Sequence, residues 1–518
     1  MNHWIIVPVV LPAILASVMV LSMRNELTLQ RIFSVTGALA VLGITIGLGM
    51  QAASGQIQVY ELGNWPAPFG IVLVLDRLSA LMAMLTAFLA VAVLLYAMGT
   101  GWDTRGKHFH PLMHFQLMGI FGAFLTGDAF NLFVFFEVLL IASYGLMIHA
   151  GGTMRLRAGL QYVVYNLLGS TLFLFALGTL YGVTGTLNMA DLAVRIGEIP
   201  ADEAGLVRVG AILLLLVFSI KAALLPLHFW LPETYARAPA PVAALFAIMT
   251  KVGAYAIIRV FTLIFGPDLS ATASLIGPVV NVAALLTLTV GMIGILGAQN
   301  LGRLAAFAAI ASMGTLLIAV AGFTPEATSA ALYYTMHSTL GGALLFMTVD
   351  LVREYRGAWA GSLLPGPRMA HHGMIATLFF GAAIATAGLP PLSGFVGKLI
   401  VLDALRDAPQ AALIWAVVLG TSLIAVLGFA QAGSTVFWKP APVGAPAPEP
   451  QEGTTAPSGL PQASTHPAPA LAFSVVFGLL FAVAGLAALA GPVTGYLAQT
   501  SAQLFAPDAY ITAVMAAL

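Results

Sequence analysis

Apolar runs of about twenty residues recur along the whole chain, separated by short segments rich in Gly, Pro and charge. At a rise of about 1.5 Å per residue, such a run matches the hydrocarbon thickness of a bilayer and predicts a transmembrane helix. About fourteen are expected, centred near residues 13, 42, 88, 118, 138, 170, 217, 251, 286, 312, 338, 388, 423 and 482. The first run, Trp4 to Met23, follows no positive residue and is long for a signal-peptide core, so it reads as a retained helix. Between the runs, residues 51–75 suggest an outer loop or small hairpin, and the amphipathic spacing of LNMADLAVRIGEI (187–199) predicts a helix lying on the outer surface. Residues 439–469, rich in Pro, Ala and Ser without apolar periodicity, read as a flexible cytoplasmic linker. The tail 503–518 either lies in the interface or forms a short last helix.

Polar positions inside these runs carry the functional signal. Glu137, Lys221, Lys251 and Lys398 each fall within or beside an apolar run, where an unpaired charge costs several kcal/mol. A chain that keeps four such groups is expected to move charge. Glu137 sits near the middle of its run, and a carboxylate–ammonium pair with Lys221 is the favoured arrangement, Lys251 being the alternative partner. A neutral, merely hydrogen-bonded carboxyl is the bland reading of Glu137, and snorkelling to an interface is the bland reading of Lys251 and Lys398. Making and breaking one ion pair would load and unload a proton on its neighbour.

Composition narrows the class. The chain is 60% hydrophobic and 8% charged, against roughly a quarter charged in a soluble domain, which makes it a polytopic membrane protein. The absence of cysteine excludes disulfides, thiolate catalysis and iron–sulfur ligation within it. Lys plus Arg and Asp plus Glu number 20 each, so no global field attracts nucleic acid. No phosphate-binding loop, dinucleotide fingerprint or nucleophile elbow stands in a suitable context, and neither a cofactor, a metal nor an enzymatic activity is expected. With the N-terminus outside, twelve of the twenty Lys and Arg fall in cytoplasmic loops; five (Arg77, Arg195, Arg208, Arg259, Arg406) fall near the outer side, and the rest are the buried lysines. That bias places both termini outside.

Two of the buried lysines lie beside helix breakers. Pro226 follows Lys221, and Lys398 follows the Gly388-Leu-Pro-Pro-Leu-Ser-Gly394 break. Interrupted helices in corresponding places of two halves are the sequence mark of inverted repeats, and a proline frees a carbonyl that water or a lysine can satisfy. His337, expected between the helices of Lys251 and Lys398, is a candidate relay, with a packing histidine as the alternative. His108, His110 and His114, like His371 and His372, read as solvated interfacial residues. Asp350, Arg353, Glu354 and Arg356 read as a solvated cytoplasmic loop. Asp128 is either a cation-admitting group at the outer mouth or a helix cap.

The run Leu225-Pro-Leu-His-Phe-Trp-Leu-Pro232, followed by Arg237-Ala-Pro-Ala-Pro-Val-Ala-Ala-Leu245, resembles the signature of the antiporter-like subunits of respiratory complex I, membrane-bound hydrogenases and Mrp-type sodium/proton antiporters. Phe124-Leu-Thr-Gly-Asp128, Asn131-Leu-Phe-Val-Phe-Phe-Glu-Val-Leu-Leu-Ile-Ala-Ser-Tyr144, Thr250-Lys-Val-Gly-Ala-Tyr255 and Gly394-Phe-Val-Gly-Lys398 are most similar to the Mrp D subunits. The resemblance implies an all-α fold with two inverted five-helix repeats and broken helices seven and twelve. It also implies proton-transfer roles for Glu137, Lys221, Lys251, His337 and Lys398, and assembly with other Mrp subunits. One departure is Ser312, in Ala308-Ala-Ile-Ala-Ser-Met-Gly314, where relatives often carry histidine.

On this reading residues 1–100 hold the first three helices and an outer loop, 101–262 and 263–438 the two repeats, 439–469 the linker, and 470–518 the last helix and tail. The expected function is proton translocation in a multisubunit sodium/proton antiporter of a prokaryotic cytoplasmic membrane. A proton pump attached to a redox enzyme and a structural anchor without transport are the alternatives.

Overall fold

A computed structural model of the chain describes residues 2–200, 202–267, 269, 272–439 and 470–516. The expected linker, apart from Lys439, lies outside the described residues. The helices are α1 (Val7–Ser22), α2 (Leu27–Ala52), α3 (Arg77–Thr100), α4 (Phe109–Leu125), α5 (Ala129–Met147), α6 (Thr153–Thr184), α7 (Met189–Gly197), α8 (Gly205–Lys221), α9 (Leu231–Arg237), α10 (Ala240–Leu263), α11 (Ala273–Leu296), α12 (Leu301–Val320), α13 (Pro325–Tyr355), α14 (His372–Ala387), α15 (Ser393–Ala404), α16 (Ala411–Gly433), α17 (Ala470–Ala488), α18 (Ala490–Leu504) and α19 (Asp508–Met515). Among the described residues ten helices are long and apolar enough to cross a membrane, and α1, α4 and α14 are shorter apolar helices. Thirteen of the expected centres fall inside helices, and the other, residue 388, falls on the break between α14 and α15. The chain is an integral membrane protein.

Helix starts follow local chemistry. Asp76 and Ser79 form a capping box at α3, and the side chains of Asp128, Asn188, Asn300 and Thr324 accept first-turn N–H groups of α5, α7, α12 and α13. Asp128 is therefore a cap, as one of its two readings held. The interruption at 51–75 is a hairpin, β1 (Gln58–Glu61) antiparallel to β2 (Val72–Leu75), with Gln58 opposite Leu75.

The helix apolar on every side is the one enclosed by protein. α10 is buried along its whole apolar length and α13 nearly so, whereas α2, α6, α11, α16 and α17 form an outer ring. Leu160 and Phe175 of α6, Leu286 of α11 and Leu423 of α16 point outward, as lipid-facing side chains do. α7 packs its buried Met189, Leu192 and Ile196 inward, and α18 and α19 show that the tail is helical.

Both interruptions occur where expected. α8 stops at Lys221 and helix resumes at Leu231; α14 stops at Ala387 and α15 starts at Ser393. Pro226 lies in the first break, Pro390 and Pro391 in the second, and none offers an N–H to continue a helix.

Two expectations about solvated charge are corrected. α13 runs on to Tyr355, so Asp350 is no loop residue: it is buried and accepts the Tyr96 hydroxyl at 3.0 Å and the Trp102 indole N–H at 2.8 Å. Arg356, just past the end of α13, is also buried, and only Glu354 of that group is exposed. His110 and His114 are fully buried on α4, His110 3.2 Å from Asp103 and His114 3.0 Å from the Ser34 hydroxyl, whereas His108 and His371 are exposed. Arg259 forms a buried ion pair with Asp76 at 2.6 Å, between the rings of Tyr255 and Tyr510. Each of these helices carries polar groups on a protein-facing side, and hydropathy alone does not tell that side from a solvated end.

Candidate proton-transfer site

The five expected groups come from five helices. Glu137 is carried by α5, Lys221 by the end of α8, Lys251 by α10, His337 by α13 and Lys398 by α15. The three lysines and His337 are buried, with Lys251 only 2% exposed, which removes the snorkelling reading of Lys251 and Lys398.

Glu137 and Lys221 do not form the direct ion pair expected from the sequence. Helix α6 mediates instead: Ser170 donates to the Glu137 carboxylate, and Lys221 Nζ donates to Asn166 Oδ1 at 2.9 Å. Asn166 and Ser170 are four residues apart, hence on one face of α6. Lys221 Nζ also stands 5.8 Å from the ring centre of Phe136, the neighbour of Glu137. A neutral amide and a hydroxyl thus hold opposite charges in place without bringing them together.

α10 approaches the end of α8 closely because residue 253 has no side chain. A Cβ at Gly253 would lie 2.7 Å from Ala222 N and 3.0 Å from Lys221 Cβ. Two residues away, Lys251 lines a cavity of about 20 Å³ shared with Ser312, Tyr334, His337 and Thr386. Its ammonium makes no hydrogen bond among the described residues, and Ser312 Oγ, beside the Tyr334 phenol, completes none of good geometry. A space of that size suits about one water, which needs two to four polar partners of the kind these side chains supply.

Two sets of bonds hold the groups of the second half. His337 Nδ1 lies 2.9 Å from Ser393 Oγ at the start of α15. Five residues further along α15, Lys398 Nζ donates to Ala387 O at 2.7 Å and to Ser422 Oγ of α16 at 2.8 Å. The lysine thus satisfies the last carbonyl of α14, freed by the break. Gly394 permits this packing, since a Cβ there would meet Ala385 O at 1.9 Å and the His337 ring at 2.9 Å.

Asn166, Ser170, Ser393 and Ser422 escaped the sequence reading. The signal available was weak: polar residues four apart on the apolar α6, a serine inside the Gly388–Gly394 break and another inside the α16 run. Small hydroxyls inside membrane helices also bond their own backbone, as Ser422 does to Val418 O at 2.7 Å, so their presence alone points to no site.

A bundle with interrupted helices that carry buried lysines, and with a buried histidine lining a cavity beside one of them, fits a membrane ion-translocating protein. The chain belongs to the NADH:quinone oxidoreductase/Mrp antiporter membrane family, whose model matches residues 126–425. It is 38% identical, over 100% of its length and 98% of the relative, to the D subunit of a probable K(+)/H(+) antiporter of Rhizobium meliloti. It is also 38% identical to the D subunit of the Na(+)/H(+) antiporter of Bacillus subtilis, covering 99% of this chain and all of that one. A chain in the structure of the Mrp complex from Dietzia superimposes with a TM-score of 0.87 at 28% identity, covering 99% of this chain and 100% of that chain.

Proposed function

We propose that this chain is the D-type component of a multisubunit monovalent cation/proton antiporter and that it carries the proton. Protons pass along Glu137, Lys221, Lys251, His337 and Lys398, with Ser170, Asn166, Ser393 and Ser422 holding the titrating groups. The observation that carries this reading is the burial of Lys221, Lys251, His337 and Lys398 on four helices, with His337 bonded to Ser393 and Lys398 to Ser422 at the break of the second half. Full-length identity to proteins named as antiporter D subunits supports exchange over a redox-driven pump or a passive anchor.

In this arrangement fourteen segments span a prokaryotic cytoplasmic membrane, both termini face outward, and residues 101–262 and 263–438 are the two inverted repeats. Sodium, potassium or both serve as the exchanged cation. The test is exchange in everted vesicles from cells carrying the intact set of subunit genes or the set lacking this one. Addition of sodium or potassium dissipates a preformed pH gradient only in the former; equal dissipation without this chain contradicts the proposal.

A further inference from the structure

The break beside Lys221 is fastened to helices of the other half. Leu225 N–H, which has no helical carbonyl to meet, donates to Thr287 Oγ1 of α11 at 2.8 Å. Thr287 is fully buried, and its own proton goes to Ala283 O at 2.6 Å, so its oxygen is fixed as an acceptor. On α9, the Glu233 carboxylate accepts Arg303 Nε of α12 at 2.7 Å, and Ala236 O accepts Arg353 Nη2 of α13 at 3.2 Å. Arg353 reaches that carbonyl through a slot lined by two glycines: a Cβ at Gly302 would lie 2.1 Å from Arg353 Nη2, and one at Gly361 2.9 Å from Arg353 Nε. One counterpart from the first half is Arg155 of α6, whose Nε donates to Arg237 O at 2.9 Å.

The second break is built differently. Leu389 N–H donates to Ile384 O, Lys398 to Ala387 O and Ser422, and Ser393 bonds His337 of α13, so these bonds stay within α13 to α16, all of the second half.

We infer that Thr287, Arg303 and Arg353 are positioning residues through which α11, α12 and α13 set the placement of Lys221. Lys221 is the last helical residue before the break, its Cβ rests against Gly253, and its ammonium has one acceptor among the described residues, Asn166. A displacement of a few tenths of an ångström at Leu225 changes that contact, and a buried backbone N–H deprived of its acceptor forces such a displacement. Helices α11 to α13 include the one that carries His337, so the state of the second half is transmitted to the proton site of the first. The inference rests on the proposed transport role of Lys221.

The test compares Thr287→Val, which keeps the shape and removes the acceptor, with Thr287→Ser, which keeps the oxygen, in vesicles containing the assembled complex. Thr287→Val should lower exchange about tenfold and shift its pH profile, while Thr287→Ser stays near wild type. On α9, Arg303→Glu should lower exchange and the charge swap Arg303→Glu with Glu233→Arg should recover it. Wild-type rate and pH profile in both Thr287→Val and Arg303→Glu overturn the inference, as do equal losses in the two Thr287 variants. Lys221→Ala is measured in parallel: full exchange there removes the transport role of Lys221 itself, whereas abolished exchange beside normal Thr287→Val and Arg303→Glu removes the positioning role alone.

Discussion

Asn166 and Ser170 stand one turn apart on α6 and hold, respectively, the Lys221 ammonium and the Glu137 carboxylate. The charge pair of the first half is therefore split across a neutral helix face. Proton gain or loss at either end changes what α6 must satisfy, and the other end feels it through the same face.

Removing Asn166 should uncouple stability from transport. Asn166→Leu leaves a buried ammonium without an acceptor and should cost about 1–3 kcal/mol, read as a lower melting temperature of the purified complex. Adding Lys221→Met removes the stranded charge and should return most of the stability, yet exchange should stay low. Recovered exchange in the double variant would count against Lys221.

Ser312 lines the cavity that Lys251 and His337 share. Ser312→Val, which fills the space with methyl groups, should slow exchange by roughly tenfold, because proton transfer needs a hydrogen-bonded path within reach. Ser312→His should restore it by supplying an imidazole in place of a water. Equal rates in wild type and Ser312→Val, measured by gradient dissipation, would remove this cavity from the path.

The buried pair of Asp76 and Arg259 is structural. Asp76→Asn leaves the guanidinium without its counter-charge, and breaking such a pair costs about 3–5 kcal/mol. Lower assembly and melting temperature are expected, with the pH profile of whatever complex assembles unchanged; an altered profile would place the pair in the transport path.

How much of this was legible beforehand follows from what hydropathy measures. Helix centres and both breaks were readable because run length and proline act locally, and α10 through α13 fell where expected. The burial of His110 and Asp350 was not, since apolar content does not reveal whether a polar group faces solvent or a partner helix. Glu137 and Lys221 stood out as charges; Asn166 and Ser170, which hold them, did not, because a neutral polar residue in a membrane helix carries little cost of its own.

Acid sensitivity should centre on Asp103. Burial pushes its carboxyl up, but hydrogen bonds from His110 and Arg31 and the Arg31 charge outweigh this and hold it at about 2, below the ordinary 3.8. A depressed carboxylate stabilises the fold above its unfolded value, and that contribution, about 2 kcal/mol, is lost as pH falls from about 4 toward about 2. The melting temperature should drop across that window, and Asp103→Asn should flatten the drop. An identical acid profile in the variant would show that Asp103 does not govern it.

Exchange in Glu137→Gln and Lys221→Ala tests the central claim most directly. Both variants are assembled with the full set of subunits, reconstituted in vesicles and followed by dissipation of a pH gradient on adding sodium or potassium. Proton transfer through these two groups predicts assembly near wild type and exchange lowered by roughly a hundredfold, the scale of losing a proton-transfer group. Wild-type exchange in both assembled variants would contradict it.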